Sequence, residues 1–141
     1  MKIVIPIEPR SKKNSQQIIY NPKTKRPMII QSKLYTNFER ECGLYLKKYK
    51  SNIDYRVNLK IDFYVKDKRR RDIANYVEAI QDILVKYEVL KDDNYNIVYS
   101  LDGTRMYVDK ENPRVEIEIT KLEEWWVVFY QEMMMEHIKK K

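Results

Sequence analysis

Residues 56–86, RVNLKIDFYVKDKRRRDIANYVEAIQDILVK, predict a strand, a basic turn and a helix in succession. Apolar and polar residues alternate over residues 56–65, which is the period of a strand with one buried face. Asp72 follows the basic turn and is a suitable N-cap for a helix over residues 72–86. The apolar positions of this helix recur at steps of three and four residues, and they are Ile73, Tyr76, Val77, Ile80, Ile83 and Leu84.

Two further helices are predicted, one on each side of this stretch. Ser32 is a suitable N-cap for a helix over residues 33–49. Its apolar stripe, which we expect to lie in the core, is Leu34, Tyr35, Phe38, Cys42, Tyr45, Leu46 and Tyr49. Residues 121–139 predict a helix that is apolar on most sides, so we expect it to pack on the domain or on a partner. One stripe of that last helix is Leu122, Trp125, Trp126, Phe129 and Met133.

The remaining segments predict strands. They are residues 2–7, 16–20, 27–31, 95–101, 105–108 and 114–119. Residues 16–20 and 27–31 predict a hairpin, and residues 105–108 are expected to return antiparallel after the turn at 102–103. We therefore expect an α/β (α+β) fold, with a small mixed sheet flanked by helices and an extra C-terminal helix. We assign residues 1–120 to one domain and residues 121–141 to a C-terminal helical extension.

Composition narrows the possible function classes. The chain of 141 residues has 28 Lys and Arg against 21 Asp and Glu, a formal charge of +7, which favours nucleic-acid binding over ordinary solubility alone. One Cys and one His exclude disulfide frameworks and Cys-based or multi-His metal sites, so any metal is expected to be Mg²⁺ or Mn²⁺ held by oxygen. No apolar run approaches the roughly 18 residues of a membrane helix. Residues 1–10 lack the pattern of a secretory signal, so we expect a cytoplasmic protein.

Carboxylates cluster on the polar side of the helix predicted over residues 72–86. Asn75, Glu78 and Asp82 fall within an arc of about 60° opposite the apolar stripe. Asp72 lies at the N-terminal edge of that arc, and the pair Asp92–Asp93 follows the helix. Clustered carboxylates beside a basic loop are typical of sites that bind both a divalent cation and a phosphate. The alternative is an ordinary solvated helix face with a normal N-cap.

The same stretch resembles the RusA family of Holliday junction resolvases and phage-type endodeoxyribonucleases. The family pattern is a basic turn, Asp-x-Asp-Asn-x-x-Lys, a later Asp and an Asp-Asp pair. The matching residues are Arg70, Arg71, Asp72, Asn75, Asp82, Asp92 and Asp93. Residues 9–15, PRSKKNS, resemble the family's N-terminal basic loop, and residues 109–110 and 112–119 resemble its last strand. The resemblance implies a Mg²⁺-dependent, structure-specific endodeoxyribonuclease that resolves four-way DNA junctions in recombination and repair, in a phage or prophage setting.

Two positions depart from the family pattern. Ala74 stands where the family has its second Asp, and Glu78 stands where it has Lys. In the family, the positions matching Asp72, Ala74 and Asp93 are the metal-binding carboxylates. Glu78 lies one helical turn after position 74, so it or Asp82 is a candidate for the missing carboxylate. The alternative hypothesis is an impaired enzyme, or a non-catalytic nucleic-acid-binding protein on the same fold.

Roles for the remaining candidates follow from the resemblance and from their chemistry. Asp72 and Asp93 are predicted to bind the cation together with Glu78 or Asp82, while Asn75 orients a ligand or a water. Phosphate contacts are predicted for Lys12, Lys13, Arg69, Arg70 and Arg71. A helix over residues 72–86 is about 21 Å long, which separates Asp72 from Asp93 unless the chain folds back. We therefore expect a homodimer in which Asp72 of one chain approaches Asp93 of the other.

Overall fold

A computed structural model describes residues 1–13 and 16–139 of the chain. Asn14 and Ser15, the last two residues of the predicted basic loop, lie outside the described residues. The side chains of Trp125 and Trp126 also lie outside the described part of the structure, so their predicted place in the stripe of the last helix is not tested.

The described residues form a mixed sheet and three helices, which confirms the predicted fold class. The strands are β1 (Lys2–Ile5), β2 (Gln16–Tyr20), β3 (Pro27–Gln31), β4 (Val57–Val65), β5 (Val98–Ser100), β6 (Arg105–Val108) and β7 (Arg114–Lys121). The helices are α1 (Lys33–Leu46), α2 (Ile73–Lys86) and α3 (Glu124–Lys139), with a 3-10 turn at Lys47–Tyr49 after α1. The strands β2 and β3 form the predicted antiparallel hairpin as a separate two-stranded sheet.

Strand β4 is the centre of the main sheet. It pairs antiparallel with β7, which in turn pairs antiparallel with β1. On its other edge β4 pairs in parallel with β5 near its start and with β6 near its end. The prediction that residues 105–108 return antiparallel is therefore wrong.

Hydrogen bonds from β4 explain why the chain does not reverse at residues 101–104. The Asn58 side-chain oxygen accepts hydrogen bonds from the Ser100 hydroxyl at 2.6 Å and from the Asp102 backbone amide at 2.8 Å. The Thr104 hydroxyl oxygen accepts a bond from the Ile61 amide at 3.1 Å. The turn is thus attached to β4, and β6 continues along β4 in the direction of β5.

The core lies between one face of the main sheet and the helices α1 and α2. The alternation predicted for β4 is confirmed, because every second residue from Val57 to Val65 is at most 2% exposed. Buried side chains on the helices are Tyr35, Phe38, Cys42 and Leu46 of α1, and Tyr76, Val77, Ala79, Ile80, Ile83 and Leu84 of α2.

Three residues that the helical period assigned to the core are exposed. Leu34 and Ile73 are 57% and 40% exposed, because each lies in the first turn of its helix, before the first residue that packs inward. Tyr45, 41% exposed, lies beside Leu46, which takes the inward position at the end of α1.

Helix α3 differs from its predicted packing. Among its described side chains Val127 is buried at 3%. The apolar side chains that are exposed are Val128, Phe129, Met133, Met134, Met135 and Ile138. Burial on the domain of the same chain is therefore wrong for most of this face, whereas packing on a partner and the division at residue 120 stay predictions. Among the described residues, none of the helices combines the length and the apolar content that crossing a bilayer requires.

The position of β4 leads to a stability prediction. Ile61→Ala should lower the free energy of unfolding by about 2–5 kcal/mol, because Ile61 is fully buried in the central strand. Ile18→Ala makes the same chemical change at a side chain that is 72% exposed on β2, and should stay within about 0.5 kcal/mol of the wild type. Urea denaturation followed by circular dichroism measures both, and equal effects would contradict the assignment of the core.

Candidate active site

A basic cleft of about 360 Å³ lies where the N-terminal loop meets the turn between β4 and α2. Its cationic lining residues are Arg10, Lys66, Arg69, Arg70 and Arg71. The three consecutive arginines were predicted from the sequence to contact phosphate, whereas Arg10 and Lys66 were not. Arg10 belongs to the same PRSKK segment as Lys12 and Lys13, so the basic composition of that segment was a signal that could have found it.

Asp67 organises the turn and gives the three arginines different environments. The Asp67 carboxylate accepts hydrogen bonds from the Arg69 amide at 3.0 Å and from the Arg71 guanidinium at 2.9 Å. The Arg69 amide and then the Arg71 side chain hold the pKa of Asp67 below its ordinary value. The side chain of Arg71 is only 8% exposed, so it serves mainly to fix the turn. Arg70 is exposed and pairs with no carboxylate among the described residues, so its charge is available to a ligand.

Asp72 occupies the predicted N-cap position of α2 without capping it through its side chain. Its backbone is extended, and its carbonyl oxygen accepts a hydrogen bond from the Asn75 amide at 3.0 Å. The carboxylate makes no capping hydrogen bond and is exposed. Ala74 and Glu78 are also exposed, and Asn75 is half-buried. The start of α2 therefore presents one carboxylate directly after the arginine turn.

A second group of charges lies about three helical turns further along α2. The Lys12 ammonium is 2.8 Å from an Asp82 carboxylate oxygen and 5.8 Å from the centre of the Tyr35 ring. Partial burial raises the pKa of the Asp93 carboxyl, and a hydrogen bond with Asp92 and the negative charge of Asp82 raise it further. The structure thus brings together Lys12 and Asp82, and the charge of Asp82 acts on Asp93. Lys13 is exposed beside them in sequence.

The chain reaches this arrangement by folding back after α2. The Leu84 carbonyl oxygen accepts hydrogen bonds from the amides of Val89 and Leu90, and Glu88 adopts a φ of +60°. Leu90 then pairs with Ile53 in parallel, and both side chains are buried. This fold-back carries the following acidic pair to the end of α2.

The fold-back does not bring the acidic pair to Asp72. Asp82 follows Asp72 by ten residues, which is about 15 Å along a helix. Within the described residues, no group of three His, Cys, Asp or Glu side chains is arranged to hold a metal ion. Asp82 and Asp93 do fit a hard divalent cation in their donor chemistry, because they offer carboxylate oxygens whose mutual repulsion a positive charge relieves. One chain therefore carries candidate carboxylates at each end of α2.

Sequence reasoning missed the Tyr35 hydroxyl at this site. Tyr35 was predicted in the core from its place in the α1 stripe, and it is 2% exposed. Its hydroxyl is buried and has no hydrogen-bond partner among the described residues. Burial raises the pKa of this hydroxyl, and the negative charges of Glu39 and Asp82 raise it further. No signal in the sequence indicates that a stripe tyrosine lies beside carboxylates of another helix.

Comparison with known proteins bears on the whole of this region. A sequence model of a protein family, described as "Endodeoxyribonuclease RusA", matches residues 6–120 of the chain. No curated protein matches the chain. The matched residues include the basic cleft, all of α2 and the Asp92–Asp93 pair, and leave out α3.

The electrostatics of the acidic group lead to a prediction about Asp93. Asp82→Asn should lower the pKa of the Asp93 carboxyl toward its ordinary value, because the substitution removes one of the negative charges that raise it. Carboxyl carbon NMR across a pH titration, with EDTA present, measures this pKa. Asp109→Asn removes a carboxylate whose partner is Arg114 and should leave it unchanged. An unchanged Asp93 pKa in Asp82→Asn would show that the charge of Asp82 does not act on the Asp93 carboxyl.

Proposed function

The chain belongs to the RusA family of endodeoxyribonucleases, and from this premise we propose that it is a divalent-metal-dependent nuclease that cuts four-way DNA junctions as a homodimer. The observation that carries the proposal is the cleft of cationic side chains, whose lining includes Arg70 and Arg71, directly before the exposed carboxylate of Asp72 in the chain. Cationic side chains bind the DNA backbone without reading its sequence, which suits an enzyme that selects branched shape.

Within the cleft, Arg70 is the residue best suited to contact a phosphate. Its guanidinium has no carboxylate partner among the described residues, whereas Arg71 is tied to Asp67. Arg10 and Lys66 lie 3.3 and 3.7 Å from the Glu8 carboxylate. The negative charge of Glu8 therefore balances part of the positive charge that these two residues bring to the cleft. Phosphate binding there would place a phosphodiester next to Asp72.

The carboxylates support a site shared by two chains. Asp72 lies at one end of α2, and Asp82 with Asp93 lies at the other, so antiparallel pairing of two α2 helices would combine the two sets twice. Exposure of Ile73, Ala74 and Glu78 leaves this face of α2 accessible to a partner. Glu78 would then stand near the two-fold axis, where it can replace the carboxylate that Ala74 lacks. Asp72 of one chain with Asp82 and Asp93 of the other would hold a cation such as Mg²⁺ or Mn²⁺, which would supply polarisation of the phosphate and a lowered pKa of a bound water.

A second candidate function is junction binding without cleavage. It is favoured by Ala74, which offers no ligand, and by the lack of a three-carboxylate group among the described residues of one chain. Both candidates use the basic cleft in the same way, and they differ in whether a phosphodiester bond is broken. We also propose that residues 121–141 are an extension of the nuclease domain, because the family match leaves them out.

Cleavage of a labelled four-way junction separates the two candidates. The purified chain is incubated with the junction in Mg²⁺, in Mn²⁺ or in EDTA, with linear duplex as the control substrate. Paired nicks across the branch point that disappear in EDTA support the nuclease. Tight junction binding without nicks in either metal would support the second candidate and overturn the first.

The shared site leads to a complementation prediction. Asp72→Asn and Asp93→Asn chains should each be inactive alone and should regain activity when mixed and allowed to exchange subunits. Each mixed dimer has one site with both defects and one with neither, so about a quarter of the wild-type sites are restored. These sites should nick one strand of a junction. A mixture that stays inactive, after a size-tagged chain has shown exchange, would mean that both carboxylates act within one chain.

The unequal arginines lead to a prediction about binding. Arg70→Ala should reduce the slope of log affinity against log salt by about one and leave the melting temperature unchanged. Arg71→Ala should lower the melting temperature, because it removes the ion pair between Arg71 and Asp67 that fixes the turn. Lys47→Ala, at the opposite end of α1 from the cleft, should change neither quantity. If the slope of log affinity against log salt were the same in Arg70→Ala as in the wild type, Arg70 would not contact a DNA phosphate.

A further inference from the structure

We infer that Lys12 is a mobile counter-charge that occupies the cation position at Asp82 in the DNA-free protein and moves to a DNA phosphate when a junction binds. This exchange would couple binding of the divalent cation to binding of DNA. It deepens the proposed function and rests on it, since a DNA phosphate is the second ligand of Lys12.

The Lys12 ammonium lies against Asp82 where a bound metal cation would lie. The ammonium lies 2.8 Å from the Asp82 oxygen, and the two residues are 70 positions apart in the sequence. A divalent cation bound to the same oxygen would lie within about 2.0–2.6 Å of it, in the space that the ammonium fills. The two positive groups therefore compete for this oxygen. Both side chains are about one third exposed, at 36% and 35%, so the ion pair can open without unfolding.

The surroundings of Asp82 favour a charge higher than one. Glu78 lies one helical turn before Asp82 on α2, so two carboxylates share this part of the helix. A single ammonium balances one of these carboxylates, whereas a divalent cation would balance two. Lys12 thus compensates the group only in part.

The Tyr35 hydroxyl is an independent observation that points to a ligand beside Asp82. The side chain is 98% buried, its ring lies under the Lys12 ammonium, and its hydroxyl meets no partner among the described residues. Burial raises the pKa of this hydroxyl, and the negative charges of Glu39, Asp82 and Glu78 raise it further. Buried hydroxyl groups are nearly always hydrogen-bonded, so a partner is expected here once Lys12 has been replaced by a cation and its bound water.

The loop that carries Lys12 connects the two charged regions. Arg10 and Ser11 line the basic cleft, and Ser11 is only 1% exposed, which fixes the backbone next to Lys12. From this anchored position a flexible lysine side chain can point to Asp82 or toward a phosphate held in the cleft. Binding of DNA would then release Asp82 to the cation, and binding of the cation would release Lys12 to the DNA.

Binding of Mn²⁺ in the absence of DNA tests the first half of the exchange. Calorimetric titration of the full chain with Mn²⁺ should show about fivefold tighter binding for Lys12→Gln than for the wild type. Lys13→Gln is the matched control, because it removes the same charge from an exposed neighbour that is not paired with Asp82. Lys12→Arg keeps the charge and should resemble the wild type. Equal Mn²⁺ affinities of Lys12→Gln and Lys13→Gln, or no Mn²⁺ binding by any of these proteins, would overturn the inference.

Binding of a junction without metal tests the second half. In EDTA, Asp82→Asn should bind the junction several-fold more tightly than Glu78→Gln, because both lose one negative charge but only Asp82→Asn releases Lys12. Adding Lys12→Gln to Asp82→Asn should abolish that difference, and a difference that persists would overturn the inference. Circular dichroism confirms that each variant is folded.

The two proposals can fail separately. Junction cleavage that is absent in every metal, with the Mn²⁺ and EDTA results as expected, would refute the nuclease and retain the exchange at Lys12. Metal-dependent cleavage with identical Mn²⁺ affinities for Lys12→Gln and Lys13→Gln would refute the exchange and retain the nuclease.

Discussion

Burial of one face of β4 is the constraint on which the rest of the structure depends. The side chains of that face are fully or almost fully buried, and both edges of the strand are hydrogen-bonded, to β7 on one side and to β5 and β6 on the other. A strand fixed on both edges and on one face cannot slip by a residue without exposing its apolar set. The end of β4 at Val65 therefore fixes where the basic turn begins and where α2 starts.

The basic turn shows how one acidic residue makes neighbouring arginines unequal. Asp67 holds the nearly buried Arg71 side chain and accepts a hydrogen bond from the Arg69 amide, whereas Arg70 is exposed at the cleft. The charge of three arginines in a row would repel if all three pointed the same way. Fixing one of them as part of the turn lowers that repulsion and keeps the approach to Asp72 basic.

Helix α2 separates the functional groups, and the loops reconnect them. Asp72 lies at one end, Asp82 and Asp93 at the other, and the N-terminal loop reaches both through Arg10 in the cleft and Lys12 at Asp82. The proposed dimer and the proposed movement of Lys12 would each connect groups that lie at opposite ends of α2. One would bring carboxylates together across a two-fold axis, and the other would link phosphate binding to release of a carboxylate.

Local patterns in the chain specify most of the elements and the groups they carry. Alternation along β4 and the helical periods of α1 and α2 predict which face meets the core, apart from Leu34, Tyr45 and Ile73, and the RusA pattern is present in the sequence itself. The parallel direction of β6 and β4 depends on tertiary contacts, because the Asn58 side-chain oxygen accepts a hydrogen bond from the Asp102 amide and the Thr104 hydroxyl accepts one from the Ile61 amide. Tertiary structure also decided that Lys12 meets Asp82 across 70 residues and that the Tyr35 hydroxyl lies beside them. Periodicity reports which face of an element is buried, whereas a contact between distant elements depends on how those faces are packed together.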